Sequence, residues 1–269
     1  PAAATASVTG TPITAGGDIS VTAETAAAIT SHVKSSLLTV AISTLPKPPE
    51  APSEEGDKKP AEKPKDEPKK KEEPKPLKSI AIDPVLAMNK VATKTQAIID
   101  GAPKVEAGGN LTVTATDSAT ITSTVSAPAI AVAVEIGTNP EANKGAVAVT
   151  VAISIARNDI RTDTNAQIKN VPIVKASKNI TVSASQASAI DATSTASAIS
   201  VSASASGKAT AFSGGGASAV NLIAGDTIAK IADVGSVEAT AGAIAIKTTN
   251  SAAITATVAA VSAAVALSL

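Results

Sequence analysis

Apolar and polar residues alternate with a period of two along most of this chain. In segment 180–185, Ile, Val and Ala alternate with Thr and Ser, and segment 111–116 repeats the order with Leu, Val and Ala against Thr. Successive side chains of a strand point to opposite faces, so each segment predicts a strand with one apolar and one hydroxyl-bearing face. Runs of β-branched residues and serine disfavour helix. The alternation therefore predicts an all-β fold.

The same pattern recurs at matched positions, which indicates an internal repeat. A first half starts with Asn and has Ile or Val two residues on, Thr six on, Ala eight on and Ile ten on, and it begins at Asn89, Asn158 and Asn221. A second half has an apolar residue, another two residues on and an Ile ten residues on. Its copies begin 92, 69 and 64 residues apart, at Ile19, Leu111, Ile180 and Ile244.

Variation in the length of the repeat falls in one place. From the first-half Asn to the start of the second half the distance is 22, 22 and 23 residues, whereas from the last Ile of the second half to the next Asn it is 60, 37 and 31 residues. In a stacked array this predicts that insertions leave from a single edge, where a loop can grow without disturbing neighbouring turns.

Average strand and turn lengths give a first estimate of the coil. Three strands of about five residues with short turns make a coil of roughly 22 residues. A repeat of 64 to 69 residues would then hold about three coils, and the body would be a rod on the order of 50 Å long at about 4.8 Å per coil. The simplest form is a parallel β-helix (β-solenoid) of right hand. Antiparallel hairpin stacks and a two-sheet roll stay open, because periodicity does not fix strand direction.

One segment differs in kind from the repeats. Residues 46–76 contain nine Pro, nine Lys and nine Asp or Glu, a composition that predicts a solvated, polyproline-like loop. The repeat resumes in phase after it. We therefore divide the chain into a partial repeat at 1–45, a projecting Pro/Lys/Glu-rich loop at 46–78, and repeats that continue in phase over 79–269.

Composition narrows the core and the function classes. The chain is 44% hydrophobic but has one Phe and no Trp or Tyr, so Ala, Val and Ile must fill a narrow core. It has no Cys, which excludes disulfides and thiolate metal sites. Its 23 basic and 23 acidic residues balance, which argues against capture of nucleic acid or of an anionic membrane.

Candidate catalytic residues are few. His32 is the single histidine, so His-based triads and multi-His metal sites are excluded, and we expect it at the surface. Arg157, Asp159, Arg161 and Asp163 alternate in sign along one strand face. This row is typical of ion pairing on a solvated sheet.

Other chemical signals are weak. Asp117 and Asp191 fall at different phases of the repeat and have no aromatic platform on which a sugar could stack, which argues against a polysaccharide-cleaving site. The glycines at 214–216 lack the Lys-Ser/Thr of a phosphate loop, and with Phe212 they indicate a surface turn with one anchoring ring. Calcium-binding glycine repeats are absent. We expect no catalytic, cofactor-binding or metal-binding residue and no enzymatic activity.

Small residues mark the expected corners. The glycine pairs 16–17 and 108–109 precede a strand and predict a tight corner with positive φ. Asp18, Asn110 and Asn179 stand at the strand starts, where turn chemistry accounts for them.

The two termini carry separate expectations. The uncharged tail 251–269 has the length of a membrane helix, but its period-two placement of Ile, Thr and Ser favours a strand, so we expect no membrane insertion. The chain opens partway through a repeat and neither end looks like a cap, so we expect it to continue into further repeats or to pair end to end with copies of itself.

Three blocks carry a resemblance to a known group of proteins. They are NDIRTDTNAQI at 158–168, AGGNLTVTATDSATI at 107–121 and AGDTIAKI at 224–231. They resemble the tandem strand repeats of very large bacterial surface proteins, the filamentous-haemagglutinin-like and filamentous leukotoxin-like adhesins, over nearly all of the chain except the Pro/Lys/Glu segment. The resemblance implies an extracellular β-solenoid shaft, secreted or surface-anchored, with a host or neighbour-cell receptor as a partner of the assembly, and it carries over no catalytic residue.

Two classes of function stay open. The first is a structural shaft that extends an adhesive tip or joins copies of itself into a filament. The second is a flat-face binder of glycan, ice or a partner protein that uses exposed Thr and Ser rows. The rows mix Thr with Ser, Gln and Asp, which favours the shaft.

Overall fold

The computed structural model describes residues 2–44, 76–136, 145–205 and 207–268. Within these ranges the chain forms strands and no helix, as the alternation predicted. In chain order the strands are β1 (Ala2–Thr9), β2 (Ile13–Ala15), β3 (Ile19–Lys34), β4 (Leu37–Thr44), β5 (Leu77–Asp100), β6 (Val105–Ala107), β7 (Leu111–Ile136), β8 (Ala146–Ala176), β9 (Ile180–Ser204), β10 (Ala209–Ala224), β11 (Thr227–Ala239) and β12 (Ile244–Ser268).

The strands form two sheets, and the chain passes through them in turn. Sheet I contains β1, β2, β5, β6, β8, β10 and β11, and sheet II contains β3, β4, β7, β9 and β12. Strand pairs within each sheet are parallel. One passage through both sheets is here called a rung, so that β1–β4, β5–β7, β8–β9 and β10–β12 are rungs one to four.

Rung-to-rung pairing follows the register read from the repeat. In sheet I, Asn158 pairs with Asn89 on one side and with Asn221 on the other. In sheet II, the Ile that closes each second half stacks on its equivalents in neighbouring rungs. Those residues are Ile29, Ile121, Ile190 and Ile254. The repeat is therefore the structural unit of the stack.

The predicted coil of about 22 residues is wrong, because each repeat makes one rung and not three coils. β5 has 24 residues and β12 has 25, so a rung extends on the order of 80 Å at about 3.3 Å per residue. The prediction assumed strands of average length, about five residues, whereas the longest strands of this fold are several times longer. From 146 to 168 the period-two alternation runs without Gly or Pro, so nothing in the sequence ends the strand.

The connections of variable length begin and end at one edge of the stack. They lead from sheet II to sheet I, and the residues that open the sheet I strands after them, Leu77, Ala146 and Ala209, stack on one another. Leu77 lies within the last residues of the segment 46–78 and already belongs to β5. Residues 46–75 of that segment lie outside the described ranges.

The core has a wide zone and a narrow one. The wide zone packs Ile, Val and Leu from both sheets, among them the fully buried Ile99, Leu111 and Ile168. The narrow zone adjoins the variable connections and is lined by alanine. There the Oγ1 of Thr150 donates to the carbonyl of Ile199 at 2.9 Å across the two sheets. Hydroxyls that reach the opposite backbone require a close approach of the sheets, as the small-residue composition predicted.

One corner has left-handed backbone in every rung. Gly10, Gly101, Asn170 and Asp233 occupy equivalent positions and have φ of 67°, 65°, 56° and 54°. Gly, Asn and Asp are the residues that most readily adopt this conformation. The predicted positive φ at 16–17 and 108–109 is wrong.

The second glycine pair has a different cause. A Cβ on Gly108 would lie 2.3 Å from the carbonyl oxygen of Gly16 in rung one. Glycine is therefore needed there for close contact between rungs.

The segment around Phe212 and residues 251–268 of the uncharged tail both lie within strands of the fourth rung. The segment around Phe212 is not a turn: it lies within β10, and the ring is exposed, so it anchors nothing. The uncharged tail forms β12, as predicted. Among the described residues no helix is long and apolar enough to cross a membrane.

Paired cysteines test the register in this cysteine-free chain. Thr122 and Asp191 are exposed neighbours on β7 and β9, and adjacent strands lie within disulfide range. We expect T122C with D191C to oxidise to an intramolecular disulfide, measured by thiol titration and mass. The control pair K169C with D191C, separated by 22 residues, should stay reduced. Rapid oxidation of the control pair alone would contradict the long rung.

Candidate functional site

The residues considered for catalysis do not converge. His32 is exposed on β3, as expected. Arg157, Asp159, Arg161 and Asp163 point outward from β8, and Nε of Arg161 lies 3.2 Å from Oδ1 of Asp159. A shallow depression beside this row is lined in part by Arg157 and Asp159. Exposed ion pairs of this kind contribute little to stability.

Asp117 and Asp191 lie on opposite faces of sheet II. Asp117 is buried in the core, whereas Asp191 is exposed. The hydroxyl of Thr95 donates to Oδ2 of Asp117 at 2.8 Å and lies 2.7 Å from the hydroxyl of Thr25. The other carboxylate oxygen of Asp117 has no hydrogen-bond partner among the described residues. Two carboxylates separated by a sheet cannot act on one substrate, so this pair does not form an acid and base site.

Two rows of polar side chains join the rungs, and in the sequence both stand out only as markers of the repeat and of its strand starts. Inside the stack, the amide nitrogen of Asn89 donates to Oδ1 of Asn158 at 2.8 Å, and that of Asn158 donates to Oδ1 of Asn221 at 2.8 Å. This interior asparagine ladder satisfies buried amides in an otherwise apolar zone. In the sequence this ladder can be recognised as an Asn at a position where the alternation otherwise places apolar, core-facing residues.

The second row follows a corner of the stack. The backbone N–H of Asn110 donates to Oδ1 of Asp18 at 2.7 Å. The N–H of Asn179 donates to Oδ1 of Asn110 at 3.2 Å, and the N–H of Ala243 donates to Oδ1 of Asn179 at 2.9 Å. Each side chain therefore accepts from the corner backbone of the next rung, which gives these strand-start residues a role beyond a local turn.

One carboxyl between rungs two and three has a shifted pKa. A hydrogen bond from Asn170, followed by the ammonium of Lys169, lowers the pKa of Asp100 below its ordinary 3.8. Because the pKa is lowered in the folded state, the ionised carboxylate stabilises that state fully at a pH above the ordinary pKa of 3.8. This contribution is lost as the pH falls through the lowered pKa. The contact is structural and faces solvent.

The fourth rung leaves one edge of the stack open. Every residue of β12 is exposed, including those that point toward the core. Ile254 is 50% exposed, whereas its equivalent Ile190 in rung three is 2% exposed. β12 pairs with β9 on one side. A strand of 25 residues with one unpaired side is a template for a further strand.

The outer face of sheet II carries rows of hydroxyls. They are densest on β7, and neighbouring rungs repeat them only in part. Thr114 has Thr22 and Ser183 at its sides, whereas Thr120 has Ala28 and Ala189. The threonines of β7 that face outward are Thr112, Thr114, Thr116, Thr120, Thr122 and Thr124. The face is hydroxyl-rich without being a regular grid.

Among the described residues no group of three or more His, Cys, Asp or Glu could hold a metal ion. Comparison of the chain with protein-family models, with curated proteins and with solved structures finds no match. The candidate functional features are therefore surfaces of the stack: its open edge, its hydroxyl rows and its outer faces.

The asparagine ladder gives a direct test of rung cohesion. Asn158 is buried between two asparagines, and N158L would leave Oδ1 of Asn221 without its donor. We expect the free energy of unfolding in urea to fall by about 1–3 kcal/mol. N221L, at the half-buried end of the ladder, should cost less. Equal losses for both variants would show that the ladder contributes no more than side-chain packing.

Proposed function

We propose that this chain is a non-enzymatic structural shaft of a bacterial cell-surface adhesin or extracellular filament, built by stacking rungs end to end. The observation that carries the proposal is the open edge of rung four, which has the register and the apolar residues of every internal rung contact. The surface-protein resemblance of the repeats supports an extracellular setting.

The two ends of the stack match in phase. When the internal register is continued, sheet II of a second copy would place an aliphatic residue beside each of the four large aliphatic residues of β12 that point toward the core. The pairs would be Ile244 with Ile19, Ile246 with Val21, Ile254 with Ile29 and Val258 with Val33. Further repeats of the same chain would fill this edge in the same way. A head-to-tail contact of this kind does not close on itself and produces filaments.

The proposed shaft also has a defined handedness. We take the stack to be a β-solenoid of two long sheets with a right-handed course. Connections between parallel strands of one sheet are nearly always right-handed, because a right-twisted strand returns to its sheet most readily that way. The Pro/Lys/Glu-rich segment then projects from the edge at which the variable connections leave.

A shaft needs rigidity along its axis more than it needs a pocket. Parallel ladders, the asparagine row and the corner row link each rung to the next at several points. Contacts are repeated and local to neighbouring rungs, which is the energetic arrangement of repeat proteins. Host or neighbour-cell receptors would be bound by other parts of such an assembly.

A matched pair of substitutions on β12 tests end-to-end stacking. Ile254 points toward the core and Ala253 points outward. We expect I254K to stop stacking, because its ammonium would be buried by the next rung, whereas A253K should assemble like the unmodified chain. Particle lengths by electron microscopy and mass by sedimentation are the measurements. A chain that stays monomeric at high concentration, or equal behaviour of both variants, would refute the proposal.

The second candidate function is a flat-face binder, and the observation that favours it is the outward threonine row of β7. Ice and glycan recognition both use regular hydroxyl arrays, and here the neighbouring rungs mix Thr and Ser with Glu24 and Asp191 and, beside Thr120, with alanine. We expect no thermal hysteresis and no binding on a glycan array. Activity in either assay that is lost in T116V and T120V together would establish the binder instead.

A further inference from the structure

An apolar field covers one part of the outer face of sheet I. It spans three adjacent strands at the end that adjoins the variable connections, and register places its members side by side. Leu86 is 58% exposed, Met88 66% and Phe212 60%. The field consists of Ile80, Ile82, Pro84, Leu86 and Met88 on β5, Val149, Val151, Ile153 and Ile155 on β8, and Phe212 on β10.

At this field the large apolar residues face solvent and the small residues face the core, which is the reverse of the usual distribution. The alternate residues of the same strands are small and face the core, among them Ala81, Ala148 and Ala152. At about 3.3 Å per residue and 4.8 Å per strand, the field has a projected area of roughly 400 Å². This is within the range of functional patches on monomers and at the low end of transient protein interfaces.

The size of the outward side chains decreases across the field from β5 to β10. β5 contributes a ridge of bulky side chains, and β8 contributes branched residues of intermediate height. On β10, Gly214 and Gly216 lie at the positions that pair with Val151 and Ile153 and leave a trough.

Among the residues that the structure describes, none explains the two trough glycines. A Cβ on either would meet no atom within 4 Å, and neither has positive φ. Pairing with β8 is continuous through both, so they mark no bulge. Gly215 between them differs, because its Cβ would lie 3.0 Å from the carbonyl oxygen of Val261. Glycine weakens a strand and marks places where another backbone or a ligand approaches closely.

We propose that this field is an isologous contact with a second copy of the chain, related by a two-fold axis that runs parallel to the strands over β8. Such an axis reverses the order of rungs across the interface. The ridge of β5 therefore lies over the trough of β10 in the mate, with Ile82 and Pro84 opposite Gly214 and Gly216, while β8 faces β8. Leu86 likewise lies opposite Ser218, whereas Ile80 lies opposite Phe212 at the end of the field. Bulky residues of β5 thus meet small residues of β10 at three successive outward positions, and this complementarity selects a copy of the chain as the occupant.

Charge and topology argue against a lipid surface in the same place. The strands continue past the field into Lys90, Arg157 and Asp159, a charged border of mixed sign, whereas anionic membranes attract basic clusters. The other end of the field adjoins connections rich in polar residues, which would have to enter hydrocarbon. The outer face of sheet II is also apolar at this end, but it has no trough: its residues include Val40, Val132 and Val201.

The contact is distinct from end-to-end stacking, because a two-fold contact closes at the dimer whereas a head-to-tail contact grows. The test therefore uses I254K, in which stacking is blocked, followed by sedimentation at concentrations up to about 1 mM. We expect a reversible dimer and nothing larger. Adding G216V should raise its dissociation constant by about ten- to a hundredfold, because the trough becomes filled.

The matched control is A187V, which places the same side chain on the outer face of sheet II and should leave the dimer unchanged. Both valines favour strand, and circular dichroism with urea unfolding verifies the fold. If I254K is monomeric throughout, or if G216V and A187V dimerise equally, the proposed contact is wrong.

A second measurement is independent of stacking. Ile153 lies near the proposed axis, so I153C should form covalent dimers with a short bis-maleimide, whereas A187C should not. Equal cross-linking of both cysteines would overturn the contact even where the ends still associate.

Discussion

In-register pairing of equivalent residues between successive rungs is the constraint on which the rest of this structure depends. A parallel ladder places residue above like residue, so each position must be compatible with itself across four rungs. Apolar positions meet this condition readily. Polar positions meet it when one side chain both donates and accepts, as the amide of Asn158 does toward Asn89 and Asn221. The repeat in the sequence is the consequence of this condition.

The same condition explains where the chain varies. A residue within a strand has a neighbour above and below, so an insertion there would break the register of two contacts at once. At the edge where the chain returns from sheet II to sheet I, the flanking residues Leu77, Ala146 and Ala209 keep their stacking whatever lies before them. The Pro/Lys/Glu-rich segment occupies such a connection. Its length therefore imposes no change on the rungs.

Register and faces could be predicted from the sequence because both follow from local alternation and from the repeat. Ile121, Ile190 and Ile254 were placed correctly relative to one another without coordinates. Rung length could not be predicted, because alternation says which face a residue occupies and not where a strand ends. The left-handed corner at Gly101 and Asn170 was missed because two residue types share one backbone conformation. Asp117 lies six residues after Leu111, so the alternation places it on the inward face of β7. Its hydrogen-bond partner Thr95 belongs to the other sheet, which the alternation within one strand does not indicate.

A narrow core has a consequence for the outer surface. Where the sheets approach closely enough for Thr150 to reach the opposite backbone, inward positions accept only small side chains. Alanine and serine provide little of the preference for strand that β-branched residues provide, so the branched residues needed to hold long strands fall on the outward positions, such as Ile153. The thin interior therefore produces an apolar exterior at the same end of the rung. Exposed aliphatic surface favours association, because burial removes it from water. The apolar end of each rung is thereby inclined to associate sideways.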